Sequence, residues 1–408
     1  MKIALVAQHA TPALCATAHQ AAGDLRIREL GQSLAAKGHH VTLYAHRPDP
    51  GLSRDAALSS GTEPSGGSEP TAGFRTEYIG QAATRDDAEL LARVPEFAAQ
   101  LRERWERDRP DVVHAFRWTS GLAALAAARD LGLPVVQSFG SLGIAERRHH
   151  LIPDSAAARR VRLESAIGRG VSAAIAANSQ EQADLARMGV SRRSITVIPC
   201  GIDTGEFTPE GPTARRGDRP RLVSVTDLDS YDELANLLRA LSRVPGAELV
   251  VAGGPPHAEL AEDPAHRKLA SLATALGVAD RVMFAGKVDR GALPALLRSA
   301  DVLVSTAEYD PAGTVVLEAM ACGTPVVATP VGGQLDAVVD GTTGVLAEPG
   351  RPGSLAQRIR RLLGHPMLLE AFSVAAADRV RSRYSRDRIA DEILAVYDGI
   401  RDIAPLAA

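Results

Sequence analysis

The stretch that decides the fold runs from residue 300 to residue 344 and reads ADVLVSTAEYDPAGTVVLEAMACGTPVVATPVGGQLDAVVDGTTG. Its first apolar run ends at Ser305, a loop carries Asp310, and a helical pattern opens near Thr314. A second β-branched run follows at residues 326–329. Strand, helix and strand in this order predict a parallel βαβ unit.

The rest of the chain repeats this alternation of short β-branched runs with helical runs. Before residue 211, the predicted strands are residues 3–7, 41–45, 112–115, 135–139, 173–177 and 195–198. After residue 220, they are residues 222–225, 249–252, 282–285, 302–305 and 326–329. Strands that are apolar throughout indicate parallel sheets covered on both faces. We therefore predict an α/β protein of two doubly wound, Rossmann-like domains that face a central cleft.

The linker is predicted near residues 211–220, which are rich in Gly, Pro and charge. It separates an N-terminal domain, residues 1–210, from a C-terminal domain, residues 218–385. A final helix, residues 386–408, could pack back on the first domain. Residues 49–73, rich in Gly, Ser, Pro and acidic residues, predict a long surface loop. That loop is either a tolerated insertion or a lid over a ligand.

Composition excludes several classes of function. The 408 residues carry a net charge of −3, so no basic field for a nucleic acid is expected. No apolar run reaches the ~18 residues of a membrane span. The N-terminal MKIALVAQHA resembles a strand more than a signal peptide, and we expect a cytoplasmic protein. Three scattered cysteines and no H-E-x-x-H motif imply neither a disulfide nor a metal.

Ligands of parallel sheets bind at the carboxyl ends of the strands, which directs attention to the loop after residue 305. A helix that opens after Gly313 presents unpaired backbone N–H groups, which suit a diphosphate or sugar hydroxyls. The carboxylates of Asp310 and Glu318 can accept hydrogen bonds from sugar hydroxyls. Each has a plain alternative: Asp310 as a loop residue at a helix start, Glu318 as a solvated helix residue, and Gly332-Gly333 as a turn. Because Asp310, Glu318 and Gly332-Gly333 occur in this order within one segment, we favour a binding site.

The segment resembles the donor-binding signature of glycosyltransferase family 4, the retaining enzymes of the GT-B fold. The matching positions are Asp310, Gly313, LEAMACGTPVVA at 317–328, Gly332-Gly333 and DGTTG at 340–344. Further matches are DVVH at 111–114 with Trp118, Ser120 and Gly121, VIPCGID at 197–203 with Phe207, VAGGP at 251–255 and VMFAG at 282–286. The resemblance therefore covers nearly the whole chain.

This resemblance implies roles for individual residues. Glu318 would hold the ribose of a nucleoside-diphosphate sugar, and Asp310 would lie beside the donor sugar. The other donor-binding positions implied are the backbone of Ala312, Gly313 and Thr314, for sugar and phosphate, and the turn at Gly286, Lys287 and Val288, for the base. The nucleotide sugar is a co-substrate, and no prosthetic group is implied.

The donor site departs from the family pattern at charged positions. Asp227 and Asp232 stand where the family has an Arg and a Lys that neutralise the diphosphate. The loss of one group that stabilises a developing anion can cost roughly 100–1,000-fold in rate. Candidate replacement cations are Lys287, Arg290, Arg147 and Arg148. A bound Mg²⁺ would also bridge carboxylates and phosphates, although the family usually needs no metal.

At other positions the residue differs from the family pattern in the size or shape of its side chain. Asp310 replaces the usual Glu, and Ala312 replaces the usual Phe. In the first domain, Gly140 stands where the family has a His near the reacting sugar. The Gly-Gly of the family's first loop, which binds phosphate or acceptor, corresponds to Ala22-Gly23. His9 and His114 lie near strand ends, where each could line the cleft or simply pack.

We therefore predict a retaining glycosyltransferase that moves a sugar from a nucleoside-diphosphate sugar to a small-molecule acceptor, as in natural-product biosynthesis. The family mechanism needs no protein nucleophile, because the leaving diphosphate can take the acceptor's proton. The alternative is a pseudo-glycosyltransferase that acts as a binding or auxiliary protein. An epimerase or a phosphorylase is a further option, and the phosphorylase needs a basic phosphate pocket. A homodimer is compatible with this sequence.

Overall fold

The computed structural model describes residues 1–8, 18–47, 72–82, 84 and 86–403, and only the backbone of residues 18–24, 402 and 403. The chain divides into two compact units, residues 1–199 with the segment from 389 onward, and residues 200–388. Each unit contains one fully parallel sheet with helices between its strands. The predicted α/β class with two Rossmann-like sheets is confirmed. His9 and most of the predicted 49–73 loop lie outside the described residues.

The first unit has a seven-stranded sheet in the order β3-β2-β1-β4-β5-β6-β7. Its elements are β1 (Lys2–Val6), α1 (Ala18–Ala36), β2 (His40–Arg47), β3 (Phe74–Ala82), α2 (Asp87–Arg107), β4 (Val112–Phe116), α3 (Trp118–Ala128), β5 (Val135–Ser138), α4 (Gly143–Arg148), α5 (Asp154–Gly170), β6 (Ala173–Ala176), α6 (Ser179–Arg187) and β7 (Ile195–Val197). Short 3-10 helices cover Arg129–Leu131 and Arg192–Ser194.

The second unit has a six-stranded sheet in the order β10-β9-β8-β11-β12-β13. Its elements are β8 (Arg221–Val225), α7 (Tyr231–Leu241), β9 (Glu248–Ala252), α8 (Pro264–Ala275), β10 (Val282–Gly286), α9 (Leu293–Arg298), β11 (Val302–Ser305), α10 (Thr314–Ala321), β12 (Val326–Ala328), α11 (Gly332–Ala337), β13 (Gly344–Leu346), α12 (Pro352–Leu363) and α13 (Pro366–Arg383). The 3-10 helices here are His257–Glu262, Ala279–Arg281 and Arg290–Ala292. A final helix, α14, covers Arg386–Ile403.

Both faces of the central strands of each sheet are buried, which explains why those strands are apolar throughout. Along β1, Ile3 and Leu5 enter one hydrophobic cluster, whereas Ala4 and Val6 enter another with Trp105. Successive side chains of a strand point to opposite faces, so a sheet covered on both sides needs apolar residues at every position.

The structure corrects the sequence analysis at three elements. Strand β3, residues 74–82, was not predicted because its polar sequence FRTEYIGQA forms an edge strand that is only partly buried. Strand β13 has three residues, too few for a recognisable pattern. The assignment of Ala22-Gly23 to a loop is wrong, because both residues lie within helix α1.

The order of the strands gives each sheet a switch point, where chain order reverses. It lies between β1 and β4 in the first unit and between β8 and β11 in the second. Helices leave on opposite faces there, so a crevice opens beyond the carboxyl ends of the two strands. Of the helices that the structure describes, none combines the length and apolarity that a bilayer span requires.

Candidate active site

Two glycine-containing loops meet near the switch point of the second unit. Residues 306–313 follow β11, and residues 329–331 follow the neighbouring β12 and lead into Gly332-Gly333 at the start of α11. The Gly333 N–H donates to the Asp310 carbonyl at 3.0 Å. A Cβ at Gly332 or Gly333 would overlap the backbone of residues 310–312, and Gly313 has a left-handed φ of 64°. The glycines therefore allow two backbone segments to touch, which a simple turn would not require.

Asp310 organises this loop. Its side chain is buried, and Oδ1 accepts the N–H groups of Ala312 at 3.2 Å and Gly313 at 2.8 Å. Its Oδ2 accepts the side-chain amide of Gln334 at 2.9 Å. The backbone donors that we predicted for sugar and phosphate at Ala312 and Gly313 are thus bonded to Asp310. A direct contact between Asp310 and the donor sugar stays a prediction.

Gln334 was missed by the sequence analysis. It is buried, and its Nε2 donates to both Asp310 Oδ2 and Ser305 Oγ, the latter at 2.8 Å. The side chain therefore ties the end of β11 to the loop that precedes α10. Nothing in its spacing along the sequence marks it as a partner of Asp310. Only the fold brings it to Asp310.

Glu318 lies on α10 and is almost fully buried, with 1% of its surface exposed. Its Oε1 accepts Nη1 of Arg290 at 2.7 Å. Arg290 opens the 3-10 helix after β10, and its guanidinium lies 4.8 Å from the centre of the Phe207 ring. Glu206 Oε2 lies 4.0 Å from Arg290 Nε. The predicted ribose ligand is therefore a buried carboxylate held by an arginine, and it is not a solvated helix residue.

The loop after β8 is acidic. Asp227 is partly buried and Asp232 is exposed on the first turn of α7, and no residue in the described ranges pairs with either carboxylate. Glu233, which the sequence analysis missed, has its pKa raised to about 7, chiefly by burial and in smaller part by the charges of Glu308 and Asp310. Its carboxylate accepts the Glu308 N–H at 2.9 Å. This side of the site therefore repels anions unless Glu233 is protonated or a cation binds.

The turn predicted to contact the base follows β10. Gly286 has φ 71°, its carbonyl accepts the Gly253 N–H at 2.8 Å, and the Lys287 N–H donates to the Pro255 carbonyl at 2.9 Å. The Lys287 side chain is exposed, and Val288 packs against the core. The turn thus lies beside the loop after β9, and its contact with a base stays a prediction.

The candidate residues of the first unit differ in their surroundings. His114 is fully buried, with its ring nitrogens 2.7 Å from Tyr397 Oη and 2.9 Å from Ser138 Oγ. Burial lowers the pKa of His114 to about 3, so it is neutral and packs against α14. Its predicted acceptor role has no support in these surroundings. Gly140 is exposed with φ 74°, and Arg148 pairs with Asp184 at 2.8 Å.

Within the described ranges, no group of three or more His, Cys, Asp or Glu side chains is arranged to hold a metal ion. A Mg²⁺ ion here would need oxygen atoms from a bound phosphate, because the site itself offers too few converging carboxylates.

Two Rossmann-like sheets with glycine-lined loops at the carboxyl ends of the strands define the class of GT-B glycosyltransferases. The family model described as "Glycosyltransferase Family 4" matches residues 25–206. The model described as "Glycosyl transferases group 1" matches residues 210–379.

Relatives of known name are similar in sequence over most of the chain. A D-inositol 3-phosphate glycosyltransferase of Actinosynnema mirum is 29% identical over 98% of both chains. The glycogen synthase of Mycobacterium tuberculosis is 30% identical over 91% of this chain and 89% of its own. The chain belongs to the family 4 glycosyltransferases.

Solved structures share the fold. Sucrose-phosphate synthase from Thermosynechococcus elongatus superposes with a TM-score of 0.80, 25% identity, and coverage of 99% of this chain and 100% of its own. Anabaena HepE, solved with UDP and glucose, gives a TM-score of 0.71 at 18% identity, covering 98% of this chain and 100% of its own. At 18% identity, the likeness to HepE shows a shared fold.

Proposed function

We propose that this glycosyltransferase moves a sugar from a nucleoside-diphosphate sugar to a phosphorylated small molecule, with retention of anomeric configuration. The donor class rests on the family signature and on a protein of the same fold that binds UDP and glucose. The acceptor class rests on two similar proteins whose names contain a phosphorylated small molecule. The glycogen synthase relative shows that acceptors vary within the family.

The observation that carries the proposal is the buried carboxylate of Glu318, held by Arg290 at 2.7 Å. A buried carboxylate is costly and is kept where it is paired and used. Carboxylates accept the paired hydroxyls of a ribose well, because hydroxyls donate to an ionised oxygen in short, strong hydrogen bonds. In this proposal Glu318 binds the ribose, and Arg290 holds the carboxylate in place.

The proposed reaction breaks one bond and forms one. The bond between the anomeric carbon and the diphosphate oxygen breaks, and the acceptor hydroxyl oxygen bonds to the same carbon from the same face. The acceptor proton goes to the leaving diphosphate, whose charge grows as the bond breaks. The N-terminal turn of α10 presents a positive dipole end to that charge. The loop shaped by Asp310 and Gln334 fixes where that turn begins.

The acidic loop favours a second candidate, a protein that binds nucleotide sugar but transfers it slowly. Asp227 and Asp232 offer the diphosphate no positive charge, and Glu233 adds a third carboxyl group. A rate lower by orders of magnitude would follow if no cation replaced the missing pair. Lys287, whose exposed side chain follows β10, is the replacement that we propose.

Calorimetric titration with a panel of nucleoside diphosphates and nucleotide sugars, with and without Mg²⁺, tests the proposal. One nucleotide should bind with micromolar affinity, and its sugar conjugate should bind as well. Affinity that appears only with Mg²⁺ would assign the missing positive charge to the metal. No binding by folded protein across the panel would contradict a nucleotide-sugar donor.

A further inference from the structure

The first turn of α7 carries a carboxyl group that connects two elements at the switch point of the second unit. Helix α7 follows β8, and the loop of residues 306–313 follows the neighbouring β11. Glu233 is the third residue of α7 and is half-buried. Its Oε1 accepts the Glu308 N–H at 2.9 Å, and its carbonyl accepts the Thr306 hydroxyl at 3.1 Å. The side chain is therefore held between the start of α7 and the loop that leads to α10.

Glu233 does not serve the helix in the way that a glutamate at this position usually does. A Glu three residues after an N-cap Ser can accept the N–H of that Ser and complete a capping box. Here the Ser230 N–H donates to the Asp227 carbonyl at 3.1 Å instead. Within the described chain, the Ser230 side chain caps no N–H group of α7. Helix capping therefore does not explain the carboxyl group of Glu233.

Acidic groups predominate around Glu233. The loop before α7, its first turn and the loop after β11 contribute Asp227, Asp229, Asp232, Glu308 and Asp310. Helix α8 contributes Lys268, whose Nζ lies 3.6 Å from the centre of the Tyr231 ring. The segment before α12 contributes Arg351, which pairs with Glu348 at 3.3 Å. In the described ranges, neither cation forms an ion pair with Glu233.

The pKa of Glu233 follows from these surroundings. Burial raises the pKa to about 7, and the charges of Glu308 and Asp310 contribute in smaller part. The positive end of the α7 dipole favours the ionised form, so burial outweighs the effect of the helix here. At pH 7, about half of the molecules therefore carry a proton on this carboxyl group.

A protonated carboxyl group can donate a hydrogen bond, which a carboxylate cannot. Oε1 of Glu233 accepts the Glu308 N–H, and Oε2 forms no hydrogen bond with any residue that the structure describes. A proton on Oε2 is thus left for an acceptor in the crevice. Ligands of a doubly wound sheet bind outside the carboxyl ends of the strands at the switch point, and their anionic groups bind at helix starts.

We propose that Glu233, as the neutral acid, donates a hydrogen bond to the diphosphate of the donor, and that its ionised form weakens donor binding. This inference rests on the proposed nucleoside-diphosphate-sugar donor, and it adds a residue that makes the binding of that donor depend on pH. The neutral acid removes one negative charge from the acidic loop after β8. Its O–H group also supplies a hydrogen-bond donor where Asp227 and Asp232 supply none.

The test is calorimetry between about pH 5.5 and 8.5 with UDP-glucose, GDP-glucose, ADP-glucose and dTDP-glucose, whose esterified diphosphates keep a constant charge in this range. With a pKa of about 7, roughly a tenth of the molecules keep the proton at pH 8. For the sugar nucleotide that binds, we therefore expect the apparent Kd to rise about tenfold from pH 6 to pH 8.

Two substitutions separate hydrogen bonding from the relief of repulsion. Glu233→Gln keeps an oxygen for the Glu308 N–H and adds a permanent N–H donor, so its Kd should stay low at every pH. Glu233→Ala removes both the charge and the donor, so its Kd should be independent of pH but higher than that of Glu233→Gln. Glu181→Gln is the matched control, because the pKa of Glu181 is also about 7 but the residue lies in the first unit. Its Kd should vary with pH as the wild-type Kd does.

Each contrary result has a distinct meaning. A wild-type Kd that is constant with pH, or the same pH dependence in Glu233→Gln, overturns the role of Glu233 while the proposed donor class stands. Equal affinity of Glu233→Ala and Glu233→Gln overturns the hydrogen bond. A Kd that falls as the pH rises shows that the ionised carboxylate favours binding, and it overturns the proposal. Only the failure of folded wild type to bind all four sugar nucleotides at every pH contradicts the donor class as well.

Discussion

At the scale of single residues, Glu318 and Arg290 show how a buried charge is kept. The carboxylate is nearly inaccessible, and the guanidinium that faces it at 2.7 Å is itself placed over Phe207. The loss of one partner from a buried ion pair destabilises a protein far more than the intact pair stabilises it. The reason is that the remaining charge is left without compensation. The pair therefore fixes both the shape and the charge of the proposed ribose site.

Replacing Glu318 tests this role. Glu318→Gln keeps the size of the side chain but loses the charge, and we expect nucleotide affinity to fall about tenfold. Glu318→Ala should weaken binding at least as much. Exposed Glu370, on α13, gives the control variant Glu370→Gln, which should bind normally. Titration calorimetry on variants shown to be folded measures the effect, and unchanged affinity of both Glu318 variants would remove the ribose assignment.

Sequence reasoning at this scale found Asp310 and Glu318 but not the residues that surround them. The signature predicted Asp310 and Glu318, while Gln334 and Glu233 were missed because only tertiary contacts bring them to the loop. A carboxylate in a pattern does not reveal whether it faces a ligand or its own backbone. Asp310 bonds to its own loop through Oδ1 and to Gln334 on α11 through Oδ2, which the sequence could not show.

At the scale of elements, the site depends on two backbone segments that touch. Residues 310–313 and 332–333 can approach only because Gly313, Gly332 and Gly333 lack a Cβ. That contact sets the position at which α10 begins, and the α10 start sets where its first N–H groups point. The glycines therefore contribute to binding without any side chain.

Gly333→Ala tests the contact between these loops. The added Cβ would overlap the backbone of Ala312, so we expect a loss of about 1–3 kcal/mol in the free energy of unfolding. Nucleotide affinity should fall as well, since the start of α10 must shift. Gly217→Ala, where a Cβ meets nothing within 4 Å, should change stability by less than about 0.5 kcal/mol. Denaturant unfolding measures the free energy of unfolding of both variants. Equal stability of Gly333→Ala and Gly217→Ala would contradict the steric account.

The strands were predictable wherever both faces are buried. The strand at residues 302–305 was predicted with the bounds that the structure gives. A short β-branched run between two helical patterns is readily interpreted as a buried strand. Edge strand β3 was missed, since its exposed face carries Arg75 and Glu77 and the apolar pattern is lost. In helix α1, Ile27, Leu30 and Leu34 recur at helical spacing, while the first turns have too little periodicity to identify.

At the scale of the whole molecule, buried acids make stability depend on pH. The pKa of Glu164 and Glu181 in the first unit, and of Glu233 in the second, is raised to about 7 by burial. The folded protein then keeps protons that the unfolded chain releases near pH 4.5. These groups therefore lower the free energy of unfolding as the pH rises from about 4.5 to 7, and the loss levels off above that.

Glu181→Gln tests this dependence. Glu181 Oε2 accepts the Ala177 N–H at 2.7 Å, and an amide oxygen can accept the same bond without charge. At pH 8 we expect the variant to be more stable than the wild type by about 1–3 kcal/mol, with little difference near pH 5. Exposed Glu103→Gln should show no such divergence. Thermal unfolding between pH 5 and 8 measures the stability of each protein. Parallel curves of stability against pH for the wild type and Glu181→Gln would contradict the account.

The most direct test of the central claim is a transfer reaction followed by proton NMR. Folded protein is incubated with the nucleotide sugar that binds best and with inositol 3-phosphate, and the anomeric signals of donor and product are compared. We predict release of nucleoside diphosphate that requires the acceptor, and a product whose anomeric configuration matches the donor. Inversion would contradict the retaining mechanism, and a failure to release nucleoside diphosphate with any phosphorylated acceptor would contradict the proposed reaction.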